Sequence, residues 1–422
     1  MTPKKIQVIL LALIVFVVGY QTGIHKVALD WKNYKPKISV TGAEPPVNIT
    51  RVDFGRFWTV WQKIEEDYYD KTKINPQKML DGAITGMIGS LGDPYTIYLP
   101  PQKNTDFKNG LAGQFQGIGA ELGLTGNQIV VVAPLDGSPA KRGGIKPEDA
   151  ILKVDGEATS GWSLAQAVEK IRGPKGTKVT LNILHKGKTD PEDIEITRDL
   201  ITIKSVTGWV KKIKDVPNIK LEGSLSNNKE NSVTYIRLSQ FGDSTNKDWV
   251  ELVNNLSQKT KQDSTAKGVI LDLRNNPGGY LTDAVFIAAE FLNEGSPVVI
   301  QDTGTGEKTT LSVTRHGLYL DTPVVIIINK GSASASEIVS GALRDHKRAT
   351  LVGDTSFGKG TVQQAEDLGD GAGIHVTIAK WLTPKGTWVH GKGLMPDVIV
   401  ELDTKTEGRD NQLEKAVEQL IK

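Results

Sequence analysis

The period of the apolar positions changes several times along the chain, and each change marks an element. Residues 8–18 are almost unbroken hydrophobic behind Lys4 and Lys5, the layout of an export signal or a short membrane anchor. The run is shorter than the roughly 20 residues that span a bilayer comfortably. No Ala-x-Ala-like cleavage site follows before Gln21-Thr22-Gly23, which favours an uncleaved anchor with the rest of the chain on the far side of the cytoplasmic membrane. Residues 32–48, containing Pro36, Pro45 and Pro46, read as a tether. From 53 to 91 the spacing becomes helical: Phe54, Phe57, Trp58, Trp61, Ile64 and Tyr68 form one aromatic face, and Pro76 opens a second helix carrying Leu80, Ile84, Met87 and Leu91. Two short helices cannot bury that much aromatic surface alone, so the face packs on another domain or subunit.

Beyond residue 114 short strands and single helices alternate. Residues 114–198 hold a Gly-rich entry, two strand runs and an amphipathic helix at 163–171 built on Leu164, Ala167, Val168 and Ile171. Strands are predicted over 201–223 and 233–238 with a polar loop at 224–232 between them, followed by a helix at 249–256. Residues 268–273 form an apolar strand that ends in Asn275-Asn276-Pro277-Gly278-Gly279, and a helix at 281–291 follows. The β-branched run 323–328 is a further buried strand, Ile338, Val339, Ala342 and Leu343 recur at helical spacing, and 375–381 alternates as a strand. From Asp410 a last helix carries Leu413, Ala416, Val417, Leu420 and Ile421, a stripe that docks on the core or on a partner subunit, so a homo-oligomer stays open. Strand–helix alternation from 238 to 378 argues an α/β core.

Composition narrows the chemistry. The 422 residues, 38% hydrophobic and 24% charged, describe a globular chain of two or three domains, and a net charge of +2 gives no electrostatic case for nucleic acid. The absence of cysteine excludes a thiol nucleophile, disulfides and thiolate zinc sites. The six histidines lack paired metal spacing, so no metal and no cofactor is predicted.

Residues 329–364 concentrate the candidate chemistry. A serine hydroxyl needs a base beside it and donors for the charge that develops on the attacked carbonyl. Ser334, with Glu337 three residues on, fits a capping box, which would place it at a helix start among unpaired backbone N–H groups. Ser332 and Ser336 are rival nucleophiles, and Ser334 as nothing more than a cap is the plain alternative. Lys359 stands between Gly358 and Gly360, with Gln363 four residues on. To serve as a base its pKa must fall from about 10.4 to roughly 7, a cost of about 4 kcal/mol that burial must impose. An exposed lysine in a Gly-rich turn is the plain alternative here.

The stretches Asn329-Lys-Gly-Ser-Ala-Ser-Ala-Ser-Glu337 and Ser356-Phe-Gly-Lys-Gly-Thr-Val-Gln363 resemble the carboxy-terminal processing peptidases, serine proteases with a Ser-Lys-Gln arrangement. That resemblance implies Ser334 as nucleophile, Lys359 as base, Gln363 as the residue that orients it, and the N–H groups of Gly278 and Ala335 as the oxyanion hole. It extends to the segments 92–99 and 391–397, the first read as structure without chemistry. Residues 114–198 are similar to a PDZ domain. Gly117, Ile118, Gly119 and Ala120 would hold a peptide's terminal carboxylate, and the strand from Ala120 would pair with the peptide. Pro139-Ala140, Gly143-Gly144-Ile145 and 149–156 support this, while Glu148 stands where a glycine is common.

The implied architecture is a crotonase-like or ClpP-like α/β core with an inserted PDZ domain and an N-terminal helical segment. Its divisions are 1–22 signal or anchor, 23–52 linker, 53–110 helices, 111–199 PDZ, 200–402 peptidase core and 403–422 C-terminal helix. The implied activity is that of a serine endopeptidase acting on unstructured or C-terminally exposed proteins, anchored in the cytoplasmic membrane or exported, with the PDZ domain selecting or gating substrate. A silent scaffold that binds peptide ends is the alternative from another class, and His375 acting as base for Ser334 is a third reading.

Overall fold

The computed structural model describes residues 27–32, 35–40, 52–135, 137–202, 204–403, 406 and 408–422. The apolar run at 8–18 lies outside them. Among the described residues no helix is long and apolar enough to cross a membrane. The chain divides into two compact units, the second beginning at Asp81.

In the first unit β1 (Val27–Lys32) pairs antiparallel with β2 (Lys35–Val40), Val27 opposite Val40. Part of the expected tether is therefore a strand. Helix α1 (Gly55–Asp67) begins where the Asp53 carboxylate accepts from the Gly55 N–H at 2.7 Å, and Phe57 meets Trp58 edge-on at 5.0 Å along its aromatic face. Helix α2 (Pro76–Gly89), which runs across the division at Asp81, opens on its proline, with Asn75 Oδ1 accepting from the Lys78 N–H.

In the second unit the strand β3 (Ile97–Leu99) leads into α3 (Pro101–Leu111), and β4 (Gln114–Gly117), itself outside it, precedes a separate small sheet. That sheet holds β5 (Ala120–Thr125), β6 (Gln128–Pro134), β7 (Ala150–Val154), β8 (Lys178–Leu184) and β9 (Glu192–Thr197) in the order β9-β8-β7-β6-β5. Helix α4 (Leu164–Ile171) starts at a full capping box, Gln166 N–H to Ser163 Oγ and Ser163 N–H to Gln166 Oε1. Glu148 keeps the glycine-type turn by adopting φ 66°, its N–H donating to the Val131 carbonyl. The chain leaves through β10 (Asp199–Thr202), which pairs antiparallel with β4, Asp199 opposite Gly117 and Thr202 opposite Gln114.

The core sheet comprises β11 (Val206–Lys212), β12 (Ser232–Leu238), β13 (Ala266–Asp272), β16 (Val324–Ile328), β17 (Ala349–Gly353) and β20 (Val398–Ile399), in that spatial order. Only the β11–β12 pair is antiparallel. The stretch expected as one strand over 201–223 is divided between β10 and β11, which lie in different sheets, and β11 ends at Lys212 where the chain turns into a 3-10 helix over Ile213–Asp215 with Ile213 fully buried. Alternate residues of each strand feed opposite faces. Ile326 and Ile328 pack with Trp249 and Val253 of α5 (Thr245–Gln262), Ile287 of α6 (Leu281–Ala288) and Ile338 and Leu343 of α7 (Ala335–Asp345). Val325 and Ile327 pack instead with Leu413, Ala416 and Val417 of α8 (Asn411–Leu420), so the C-terminal stripe docks on its own chain. Arg274 fastens that helix, reaching Asp272 at 2.6 Å and Asp410 at 2.8 Å.

A second sheet has the order β15 (Lys308–Ser312), β14 (Pro297–Asp302), β19 (Ala372–Leu382) and β18 (Thr361–Gly369), with β3 on β19. The alternation at 375–381 predicts an unbroken ladder, but the register slips: Val362 faces Ala379 while Gln363 faces Thr377, which leaves Ile378 as a bulge.

Candidate active site

Three serines crowd the turn between β16 and α7, and burial separates them. Ser332 and Ser336 are fully buried, and their hydroxyls donate to backbone carbonyls, Ser332 to Leu273 at 2.8 Å and Ser336 to Asn276 at 2.9 Å. Ser334 lies part-exposed between them at φ 54° and ψ −114°. A side-chain-bearing residue held there stores about 1–3 kcal/mol of strain. A strained strand-to-helix turn is how a nucleophile elbow lifts its hydroxyl clear of its neighbours.

Glu337 joins the serine turn to the lysine loop. The fully buried carboxylate accepts from the N–H groups of Ser334 and Lys359 on Oε2, both at 2.9 Å, and from Ser356 Oγ at 2.6 Å and the Gly358 N–H at 2.7 Å on Oε1. The capping-box pairing expected on the glutamate side is present, and it extends across to the second loop.

Gly278 lies against the same turn. A Cβ there would come within 2.8 Å of Ser334 Cβ and 2.9 Å of the Ala335 nitrogen, and its φ is 95°. Glycine is required at this position by both the close approach and the backbone conformation. The Gly278 N–H donates to the buried Asn276 Oδ1 at 2.9 Å. On its other side Gly279 bridges to Phe241 in parallel, and the loop carrying Phe241 is tied to α3, Gln240 Nε2 to the Gly110 carbonyl and the Asp243 N–H to the Leu111 carbonyl, both at 3.0 Å.

Lys359 is half-buried with its amine 5.3 Å from the centre of the Tyr95 ring. Burial pushes its pKa below the ordinary lysine value, and the Asp93 carboxylate pulls the other way. Among the described residues no hydrogen bond joins this amine to the Ser334 hydroxyl or to Gln363. Gln363 donates instead to Thr361 Oγ1 at 2.9 Å and Thr377 Oγ1 at 3.1 Å. His375 packs edge-on against Phe107 at 4.4 Å, and burial together with the Lys359 charge lowers its pKa.

Asp93, Tyr95 and Thr96 are site neighbours that the sequence pattern did not reveal. The Gly92-Asp93-Pro94 turn is legible locally, since Asp93 accepts from the Tyr95 N–H at 3.0 Å. Nothing in it tells where the turn docks, which is settled by β3 pairing with β19 from 281 residues away, Thr377 N–H to Thr96 Oγ1.

In the small sheet, Gly117, Ile118, Gly119 and Ala120 line a cavity of about 120 Å³ with Leu122, Val168 and Ile171. Gly119 has φ 73°, and a Cβ on it would strike Ser138 Cβ at 2.5 Å. The four positions share one groove, away from the serine turn in the core.

Comparison with known proteins agrees with this division. The model of peptidase family S41 matches residues 232–400, the PDZ domain matches 110–184, and the N-terminal domain of the activating protease CtpB matches 20–103. The carboxy-terminal processing protease CtpB of Bacillus subtilis (strain 168) is 35% identical over 385 residues, 91% of this chain and 74% of that one. The carboxy-terminal-processing protease of Bartonella bacilliformis is 37% identical over 363 residues, 86% and 78% of the two chains. A probable CtpA-like serine protease of Staphylococcus aureus (strain MRSA252) is 36% identical over 369 residues, 86% of this chain and 67% of that one. Among solved structures, a photosystem II D1 C-terminal processing protease superposes with a TM-score of 0.50 at 30% identity, covering 83% of this chain and 95% of that one. A putative S41 protease from Bacteroides fragilis NCTC 9343, at 13% identity and a TM-score of 0.56, covers 90% and 98% and shares the fold.

Proposed function

Because this chain belongs to peptidase family S41 with the carboxy-terminal processing proteases, and is a serine peptidase carrying a PDZ domain, we propose that it cleaves unstructured or C-terminally exposed proteins through an acyl-enzyme. Ser334 Oγ attacks the scissile carbonyl while its proton passes to the neutral Lys359 amine. The oxyanion takes the N–H groups of Ala335 and Gly278. Lys359 returns the proton to the leaving amine, and water then cleaves the ester. Gln363, its two N–H donors held by threonines, offers its carbonyl oxygen to the lysine.

The observation that carries this reading is the shared carboxylate: Glu337 Oε2 takes the backbone N–H of both Ser334 and Lys359, while burial lowers the lysine's pKa. A lysine that loses its proton more easily is the form a general base requires. Peptide ends seated at 117–120 select the substrate, and the apolar run behind Lys4 and Lys5 sets the catalytic part on the extracytoplasmic side of a bacterial membrane.

The test is digestion of an unfolded protein by the full chain and its Ser334→Ala and Lys359→Ala variants, each checked for folding by circular dichroism. Both substitutions should lower kcat by on the order of a thousandfold or more. Undiminished cleavage by either variant would sink the assignment.

A further inference from the structure

Residues 354–360, which carry Lys359, belong to no helix or strand, so side chains must supply the hydrogen bonds that a ladder would give. On the N–H side Glu337 does this, taking Gly358 and Lys359. On the carbonyl side two indoles do. Trp381 Nε1 donates to the Lys359 carbonyl and Trp388 Nε1 to the Gly360 carbonyl, both at 2.8 Å. The fit at Gly360 is close: a Cβ there would lie 2.7 Å from Trp388 Nε1 and 2.9 Å from His390 Cβ.

The two tryptophans differ in what else they do. Trp381 is fully buried in the main core, which accounts for it without the hydrogen bond. Trp388 is 45% exposed, so it adds little to any core. Its ring stacks on His390, with centres 5.0 Å apart and planes 10° apart, and His390 meets Tyr95 edge-on at 5.9 Å. His390 Nδ1 is buried without a hydrogen-bond partner, so that nitrogen adds no polar contact and the imidazole serves this row as a ring. Tyr95 is the ring that lies 5.3 Å from the Lys359 amine. The contacts therefore close on themselves, from the Gly360 carbonyl through Trp388, His390 and Tyr95 to the head of Lys359. One residue reaches both ends of the lysine.

Resting on the assignment of Lys359 as base, we infer that Trp388 is a positioning residue of the reaction: its N–H fixes the peptide that follows Lys359, and its ring props the aromatic row against which the amine is seated. Proton transfer from Ser334 needs the amine within hydrogen-bond reach at the moment of attack. Lysine ends a flexible four-carbon stem, and it returns to one place only when its backbone and its head are both held. In this role Trp388 acts on turnover and leaves substrate affinity alone.

The test is steady-state cleavage of an unfolded protein by the full chain, with rates taken per folded molecule from circular dichroism and denaturant unfolding. Trp388→benzothienylalanine puts a sulfur where the indole N–H stood and keeps the ring. It should lower kcat about tenfold, the worth of one hydrogen bond, with KM unchanged, and Trp388→Phe should lose at least as much. His390→Ala breaks the row while sparing the bond to Gly360, and it too should lower kcat at constant KM. A wild-type kcat per folded molecule in the benzothienylalanine variant, whatever its unfolding midpoint, would reduce Trp388 to packing and overturn the inference. So would a raised KM at unchanged kcat, which would put the exposed ring in contact with substrate. Lys359→Ala run alongside distinguishes the failures: if it is inactive, only the inference falls, and if it is active, the base assignment falls with it.

Discussion

A carboxylate shut away from water must be saturated with donors, and Glu337 is, with two on each oxygen. Its partnership with Ser334 was legible as a spacing of three. Its partners 19 to 22 residues downstream were not, because no local pattern reports which loop a buried oxygen will meet. The same limit applied to the serine cluster, where sequence offered three hydroxyls and burial leaves Ser334 alone part-exposed. Glu337→Gln keeps the shape but sets one oxygen and an amide N–H₂ against four donors. We expect about 2 kcal/mol of lost stability and a fall in kcat of about a hundredfold as the two loops lose their common anchor, read by denaturant unfolding and single-turnover cleavage. Full activity would mean the loops hold their geometry without it.

At the scale of elements, period and turn chemistry placed most strands and helices, and departures occur where one residue overrides a pattern. The 3-10 turn that buries Ile213 cuts short a predicted strand, and the bulge at Ile378 interrupts one whose alternation gave no warning. Glu148 is the converse case, a residue that fits its turn only by entering the left-handed region at φ 66°. Glutamate there costs about 1 kcal/mol relative to glycine, and its contact with Lys186 is on the exposed surface. Glu148→Gly should therefore stabilise the PDZ domain by about 1 kcal/mol, raising the urea midpoint with an unchanged slope. A lower midpoint would show that the Lys186 contact matters more than the backbone.

Across the whole molecule, the order of motifs was legible because each is local, whereas the joining of the 92–96 turn to the site depends on β3 meeting β19 far along the chain. The C-terminal helix shows the same dependence. Its apolar stripe was plain, but its docking on the core sheet is fastened by Arg274 bridging Asp272 and Asp410. Burial pushes the Asp272 carboxyl up, yet Arg274 and Arg237 outweigh it and hold its pKa below the ordinary 3.8. A carboxyl depressed on folding contributes stability that is fully present above 3.8 and lost as pH falls through the folded value. Melting temperature should accordingly drop steeply below about pH 4. Arg274→Ala, which strands a buried charge, should cost about 3–5 kcal/mol at neutral pH and flatten that acid dependence. An unchanged acid profile would place the sensitivity elsewhere.

The pairing of β4 with β10 means that the chain departs for the PDZ domain and returns from it side by side, Gln114 opposite Thr202. Paired antiparallel strands bring such partners within about 5.5 Å, the span of a two-residue hairpin. The domain is thus spliced into the peptidase as a cassette on a two-stranded stem, and its removal or exchange calls for nothing more than re-closing that stem with Asn-Gly.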